Sequence, residues 1–128
     1  MNRLIALLVL PLALTTGCSS GSGGAAVQKG GSATAQGGVS AQTAEVDGKD
    51  TLKFGPSVVN AKVGTLALTF RNTGQVPHNL VFDDSALGKT GTVDGGQQQV
   101  LTLTLDKPGT FRFQCTFHPG MTGQVVVS

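Results

Sequence analysis

Residues 111–128 read FRFQCTFHPGMTGQVVVS. In the first part, Phe111, Phe113 and Cys115 alternate with polar residues, which indicates a β-strand with one apolar face. The last part contains QVVV, a run of β-branched residues that is typical of a second strand. Between them, the adjacent Pro119 and Gly120 indicate a loop. The stretch therefore predicts two β-strands joined by a short loop.

That loop carries three residue types that bind metals, Cys115, His118 and Met121, at intervals of three residues. The other His, His78, follows Pro77 at the start of another strand-like run. Taken singly, each side chain has a structural explanation, such as a buried thiol or a Met that fills a gap in the core. Together they supply one thiolate, two imidazoles and one thioether. Because this is the blue-copper donor set and Met is a poor ligand for zinc, we expect one copper ion here.

Short alternating runs broken by Gly, Pro and Asn continue through the chain from residue 51 onward. We predict strands at 51–54, 65–71, 78–83 and 99–105. The apolar residues of two of these runs fall on one face each: Leu66, Leu68, Phe70, Leu101, Leu103 and Leu105. No segment of about ten residues has a helical apolar stripe. The pattern predicts an all-β antiparallel sandwich or barrel.

The N-terminal part has the features of an export signal followed by a linker. Residues 1–17 begin with a positive charge, and their apolar run at 4–14 is too short for a membrane-spanning helix, which needs about 20 residues. The sequence LTTGC at 14–18 resembles a bacterial lipobox, which predicts a lipid on Cys18; an ordinary cleaved signal peptide is the alternative. Residues 18–44 are rich in Gly, Ser and Ala and predict a flexible tether. We therefore expect a single domain at 45–128, anchored to the periplasmic or extracellular face of a membrane.

Charge and composition exclude several function classes. The formal net charge is +2, and no run of like charges is present, which argues against binding to nucleic acid. Two His are too few for multicopper oxidase or nitrite reductase chemistry. Neither a Ser-His-Asp arrangement nor a phosphate-binding Gly loop stands out. We expect a monomer that is not an enzyme.

Two segments, PHNLVFD at 77–83 and PGTFRFQCTFHPGMTGQVVV at 108–127, resemble the small blue copper proteins, which include plastocyanin, amicyanin and the halocyanins. The Cys-x-x-His-x-x-Met spacing is similar to the short ligand loop of amicyanin. The resemblance implies a cupredoxin Greek-key β-sandwich with copper at one end. It also implies three strong ligands and one axial ligand: His78, Cys115 and His118 with Met121.

The same resemblance implies two supporting residues and a function. Asn79 is expected to bond to Thr116, the residue after the Cys, and so to tie the two ligand segments together. The implied function is one-electron transfer between Cu(II) and Cu(I), with redox proteins docking transiently near His118. A copper carrier or scavenger that prefers Cu(I) is the alternative. A metal-free adhesion or structural sandwich is a third possibility.

Overall fold

The computed structural model describes residues 31–38 and 41–128. The signal peptide expected at 1–17, the lipidation expected at Cys18 and the tether up to residue 30 lie outside the described residues. Within the described part of the chain, no helix is long and apolar enough to cross a membrane.

The described residues form ten β-strands and one turn of 3-10 helix. The strands are β1 (Ser32–Thr34), β2 (Gln36–Gly38), β3 (Ala41–Lys49), β4 (Lys53–Gly55), β5 (Val58–Ala61), β6 (Gly64–Asn72), β7 (Val81–Phe82), β8 (Gln98–Leu105), β9 (Gly109–Gln114) and β10 (Thr122–Val127). The 3-10 turn covers Ser85–Leu87, between β7 and β8.

The strands pair into two sheets. The first has the order β1-β5-β10-β9-β7, and the second has the order β2-β3-β6-β8, with β4 also paired to β3. The predicted all-β sandwich is confirmed. Both sheets are mixed, because the chain crosses between them and brings β1 with β5, β5 with β10, and β3 with β6 into parallel pairs. The remaining pairs are antiparallel.

The core lies between the two sheets and is built on the alternating faces that the sequence predicted. The inward side chains are Leu66, Leu68, Phe70, Leu103 and Leu105, all buried, together with Leu101, which is partly buried. Phe54 packs edge-to-face on Phe70 and Phe113, with ring centroids 5.9 and 5.0 Å apart. A Cβ on Gly123 would overlap the Phe113 ring, so glycine at this position lets β10 lie close to the aromatic cluster.

Two predicted strands are shorter than expected or displaced. The strand predicted at 51–54 is β4 at Lys53–Gly55, because the chain first makes a turn in which the Leu52 N–H donates to the Lys49 carbonyl at 2.9 Å. The strand predicted at 78–83 contains only Val81–Phe82, since His78 forms an isolated bridge with Val93 instead of joining a ladder.

Strand pairing also begins before the predicted domain start at residue 45. β1, β2 and the first residues of β3 fall within the 18–44 segment that composition predicted to be a tether. β1 and β2 lie at sheet edges, where backbone hydrogen bonds to a neighbour can form without large apolar side chains. Gln42 of β3 adds a further contact, because its buried side chain makes two hydrogen bonds with the backbone of Lys62, at 2.8 and 2.7 Å.

Candidate metal centre

The loop at 115–121 joins β9 to β10 at one end of the sandwich. Gln114 pairs with Thr122, so the two strands are still in register at the base of the loop. The Cys115 N–H donates to the Met121 carbonyl at 3.0 Å, and the Met121 N–H donates to the His118 carbonyl at 3.1 Å. These two bonds fold the loop tightly and bring His118 close to Cys115.

The loop and the segment between β6 and β7 bring three metal donors together. The Cys115 Sγ lies 3.8 Å from the His78 Nδ1 and 3.5 Å from the His118 Nδ1. The ligand atoms of all three residues lie within 4.8 Å of one another. Donors that bind one metal in a trigonal plane at about 2.0–2.3 Å are separated by about 3.5–4 Å. The spacing of the three donors therefore fits a single ion.

Most of the donor residues are buried inside the protein, and one of them lies closer to the solvent. His78 is fully buried, and Cys115 is 3% exposed. Met121 is buried in the same apolar cluster as Cys115, and its backbone bonds to both Cys115 and His118. His118 is only partly buried. With His78, Cys115 and His118, the Met121 side chain completes a donor set positioned as a copper site.

The His78 imidazole is electrostatically suited to bind a metal as the neutral ring. Burial lowers its pKa, and the neighbouring His118 lowers it further, whereas Asp50 and the Lys49 carbonyl act in the opposite direction. The Nε2 atom is buried, and no hydrogen bond of good geometry reaches it. We assign the proton of the neutral ring to Nε2, because Nδ1 faces the Cys115 Sγ at 3.8 Å. This tautomer leaves the Nδ1 lone pair directed toward the Cys115 sulfur.

Asn79 and Thr116 join the two ligand segments by a reciprocal pair of hydrogen bonds. The Asn79 Nδ2 donates to the Thr116 Oγ1 at 2.8 Å, and the Thr116 N–H donates to the Asn79 Oδ1 at 2.8 Å. These are the two residues that the sequence resemblance paired. Because each follows a ligand directly, the bonds fix the position of His78 relative to Cys115.

Asn72 is a supporting residue that sequence reasoning did not identify. Its buried side chain donates to the carbonyls of Val76 and Val93 at 2.7 and 2.8 Å and accepts from the Gly74 N–H at 2.9 Å. The Asn72 side-chain amide therefore fixes, from the core side, the backbone segment that leads to His78. The sequence signal is the Asn that opens NTGQVPH, a segment whose composition indicates a turn.

Gly48 of β3 makes room for the buried imidazole. A Cβ at this position would lie 2.8 Å from the Phe70 ring and 3.2 Å from the Cδ2 of His78. Glycine therefore allows the β3 backbone to pack directly against both rings. It was not among the predicted site residues, because a glycine within a strand gives no sequence signal of what packs on it.

Comparison with known proteins agrees with this fold and site. The family model of a cupredoxin-like domain matches residues 8–127, so the chain belongs to the cupredoxin-like family. It is 37% identical to a chloroplastic plastocyanin of Hordeum vulgare over 60% of this chain and 56% of that protein. It is 38% identical to amicyanin-alpha of Methylorubrum extorquens over 59% of this chain and 65% of that protein.

A solved structure of a reduced amicyanin mutant is similar in both fold and sequence. It superposes with a TM-score of 0.54 at 32% identity and covers 67% of this chain and 82% of amicyanin. The chain thus spans less than two thirds of the length of the two relatives above and a larger share of this structure.

Proposed function

We propose that this protein is a type 1 copper electron-transfer protein. The observation that carries the proposal is the convergence of the Cys115 Sγ and the Nδ1 atoms of His78 and His118, with Met121 buried beside them. A copper ion held by these donors would supply one electron by cycling between Cu(II) and Cu(I). The similarity to plastocyanin and amicyanin supports the same assignment.

The protein holds the donors in place before any metal arrives. The bonds within the 115–121 loop and the Asn79–Thr116 pair fix the donor positions without help from the ion. The burial of His78 and Cys115 keeps water from their ligand atoms. A rigid, dry site changes little between oxidation states, which favours electron transfer. We therefore propose a carrier and not an enzyme.

We propose that electrons leave through the exposed edge of His118. Its neighbour Phe117 is 48% exposed, so an apolar ring lies beside the least buried ligand. A redox protein could dock there through a small, transient interface, as is usual for such encounters. We expect the carrier itself to be a monomer.

The test of the proposed function is copper loading followed by visible and EPR spectra and by electron self-exchange. We expect one copper per chain, an intense charge-transfer band and fast exchange. A coloured protein with slow exchange that releases Cu(I) readily to a chelator would favour the copper carrier. Failure to bind copper in a 1:1 ratio would favour a metal-free sandwich.

The Met121→Leu variant tests the role of the thioether. We expect the variant to remain coloured, because the thiolate and both imidazoles are intact. Its reduction potential should rise by about 60–120 mV, which corresponds to a change of one to two decades in the redox equilibrium. The reason is that the weak donor to Cu(II) is lost while buried volume is kept. Voltammetry of the loaded variant measures this shift. The reverse exchange Leu103→Met in β8 is the control; an equal shift there, or a colourless Met121→Leu, would contradict the role.

We also propose that the protein is exported and anchored by a lipid on Cys18, on the basis of the sequence at 4–18. In a detergent phase-partition assay, Cys18→Ser should move the protein from the detergent phase to the aqueous phase. The neighbouring substitution Ser19→Ala should leave the protein in the detergent phase. If Cys18→Ser partitions as the wild type does, the lipid anchor is wrong.

A further inference from the structure

The loop at 74–77 leads into His78, and a single carboxylate holds it from outside. The Oδ1 of Asp50 accepts hydrogen bonds from the backbone N–H groups of Gln75 at 2.8 Å and Val76 at 3.1 Å. Asp50 belongs to the turn between β3 and β4, 25 residues from Gln75 along the chain. Two charge-assisted bonds therefore join this turn to the segment that delivers a ligand.

The packing around the loop leaves little room for it to move. A Cβ on Gly74 would overlap the Asp50 carboxylate, so this glycine is what allows the close approach. A Cβ on Gly95 would lie 2.7 Å from the Gly74 carbonyl oxygen, which shows that a second segment packs against the loop. With Asn72 bonded to Gly74 and Val76, the loop is held between one polar side chain inside and one outside.

The turn that carries Asp50 has an unusual backbone. Leu52 has φ of 57°, a left-handed conformation that is uncommon for a leucine. The side chain is 44% exposed, so burial of its apolar surface does not explain the conformation. Local strain of this kind persists where the surrounding structure determines it, and it concentrates at functional sites. The two bonds from Asp50 to the 74–77 loop are part of the surrounding structure that holds this turn in its strained conformation.

The carboxylate carries its negative charge toward the metal site. The N–H groups of Val76 and Gln75 lower the pKa of Asp50, which favours its charged form. Its Oδ1 bonds to the Val76 N–H, two residues before His78, so this charge lies close to the segment that delivers a ligand. A fixed negative charge near a metal stabilises the more positive oxidation state.

We propose that Asp50 is a positioning residue of the metal centre, which holds His78 through the 74–77 loop and favours oxidised over reduced copper by its charge. The second part of this proposal rests on the proposed function, whereas the first part concerns the chain alone. Asp50 does not itself touch the metal donors. It acts through the backbone of Gln75 and Val76.

Two substitutions separate the charge from the hydrogen bonds. Asp50→Asn removes the charge but keeps an acceptor oxygen, so the affinity for Cu(I) should stay within about threefold of the wild type, and the affinity for Cu(II) should fall more. Its redox equilibrium should shift about threefold to tenfold toward Cu(I), a rise of about 30–60 mV. Asp50→Ala removes both contributions, and its copper affinity should fall about 10–100-fold.

The matched control is Asp106→Asn, which removes the same charge from the turn after β8. That turn lies at the opposite end of β8 from Gln98, whose neighbour Gln97 bonds to Asn72 near the site. We expect its potential and affinity to equal those of the wild type. Equal potentials in Asp50→Asn and Asp106→Asn would overturn the electrostatic part of the proposal.

Amide hydrogen exchange in the metal-free protein tests the loop-holding part without copper. Exchange at Gln75 and Val76 should be at least about tenfold faster in Asp50→Ala than in the wild type and unchanged in Asp106→Asn. Unchanged exchange in Asp50→Ala would overturn the positioning role. A wild-type protein that fails to bind copper would overturn the proposed function, yet this exchange measurement would still decide whether Asp50 holds the loop.

Discussion

Replacing Cys115 with Ser is expected to abolish the visible absorption of the copper-loaded protein. The band requires a thiolate bonded to Cu(II), and a serine hydroxyl is a hard donor that does not ionise near neutral pH. The Sγ lies 3.8 Å from the Nδ1 of His78 and 3.5 Å from the Nδ1 of His118, so its loss removes the thiolate that lies next to both imidazoles. Titration with copper, followed by visible absorption, measures the result.

The second cysteine of the chain provides the control for this experiment. Cys18→Ser makes the same chemical change outside the proposed site and should retain the full band. The metal-free Cys115→Ser variant should still fold, because burial of a hydroxyl in place of a thiol costs about 1–3 kcal/mol. Urea denaturation checks this point. A folded Cys115→Ser protein that keeps the intense band would show that the thiolate assignment is wrong.

The sequence predicted the local part of the site well, for a physical reason. Cys115, His118 and Met121 lie on one short loop, so their spacing alone brings the donors close together. His78 is 37 residues from Cys115, and no local pattern relates them. His78 was identified because it is the one His in the chain besides His118. The segment that begins at Pro77 also resembles the corresponding segment of a known family.

The supporting contacts were less predictable because they join distant segments. Asp50 and Asn72 both appear in polar stretches whose composition predicts turns. Their roles depend on the packing of the β3–β4 turn against the 74–77 loop, which periodicity does not reveal. The early strands were missed for a related reason: β1 and β2 are held by backbone pairing with β5 and β3, and this pairing leaves little trace in side-chain pattern.

The core of the sandwich makes the second large prediction, which concerns Phe113. The ring is fully buried on β9, two residues before Cys115. It packs edge-to-face on Phe54 and Phe82, with centroids 5.0 and 5.5 Å apart. We expect Phe113→Ala to lower the free energy of unfolding by about 3–5 kcal/mol, because it removes a large apolar side chain and leaves a cavity between the sheets.

A loss of that size is a large part of the stability of a small domain, which is typically about 5–15 kcal/mol in total. Urea denaturation of the metal-free protein measures it without a contribution from metal binding. Phe117→Ala is the matched control, since it removes the same ring from a position that is 48% exposed, and it should change the free energy of unfolding by less than about 1 kcal/mol. Similar losses in the two variants would mean that Phe113 does not anchor the aromatic cluster beneath the metal site.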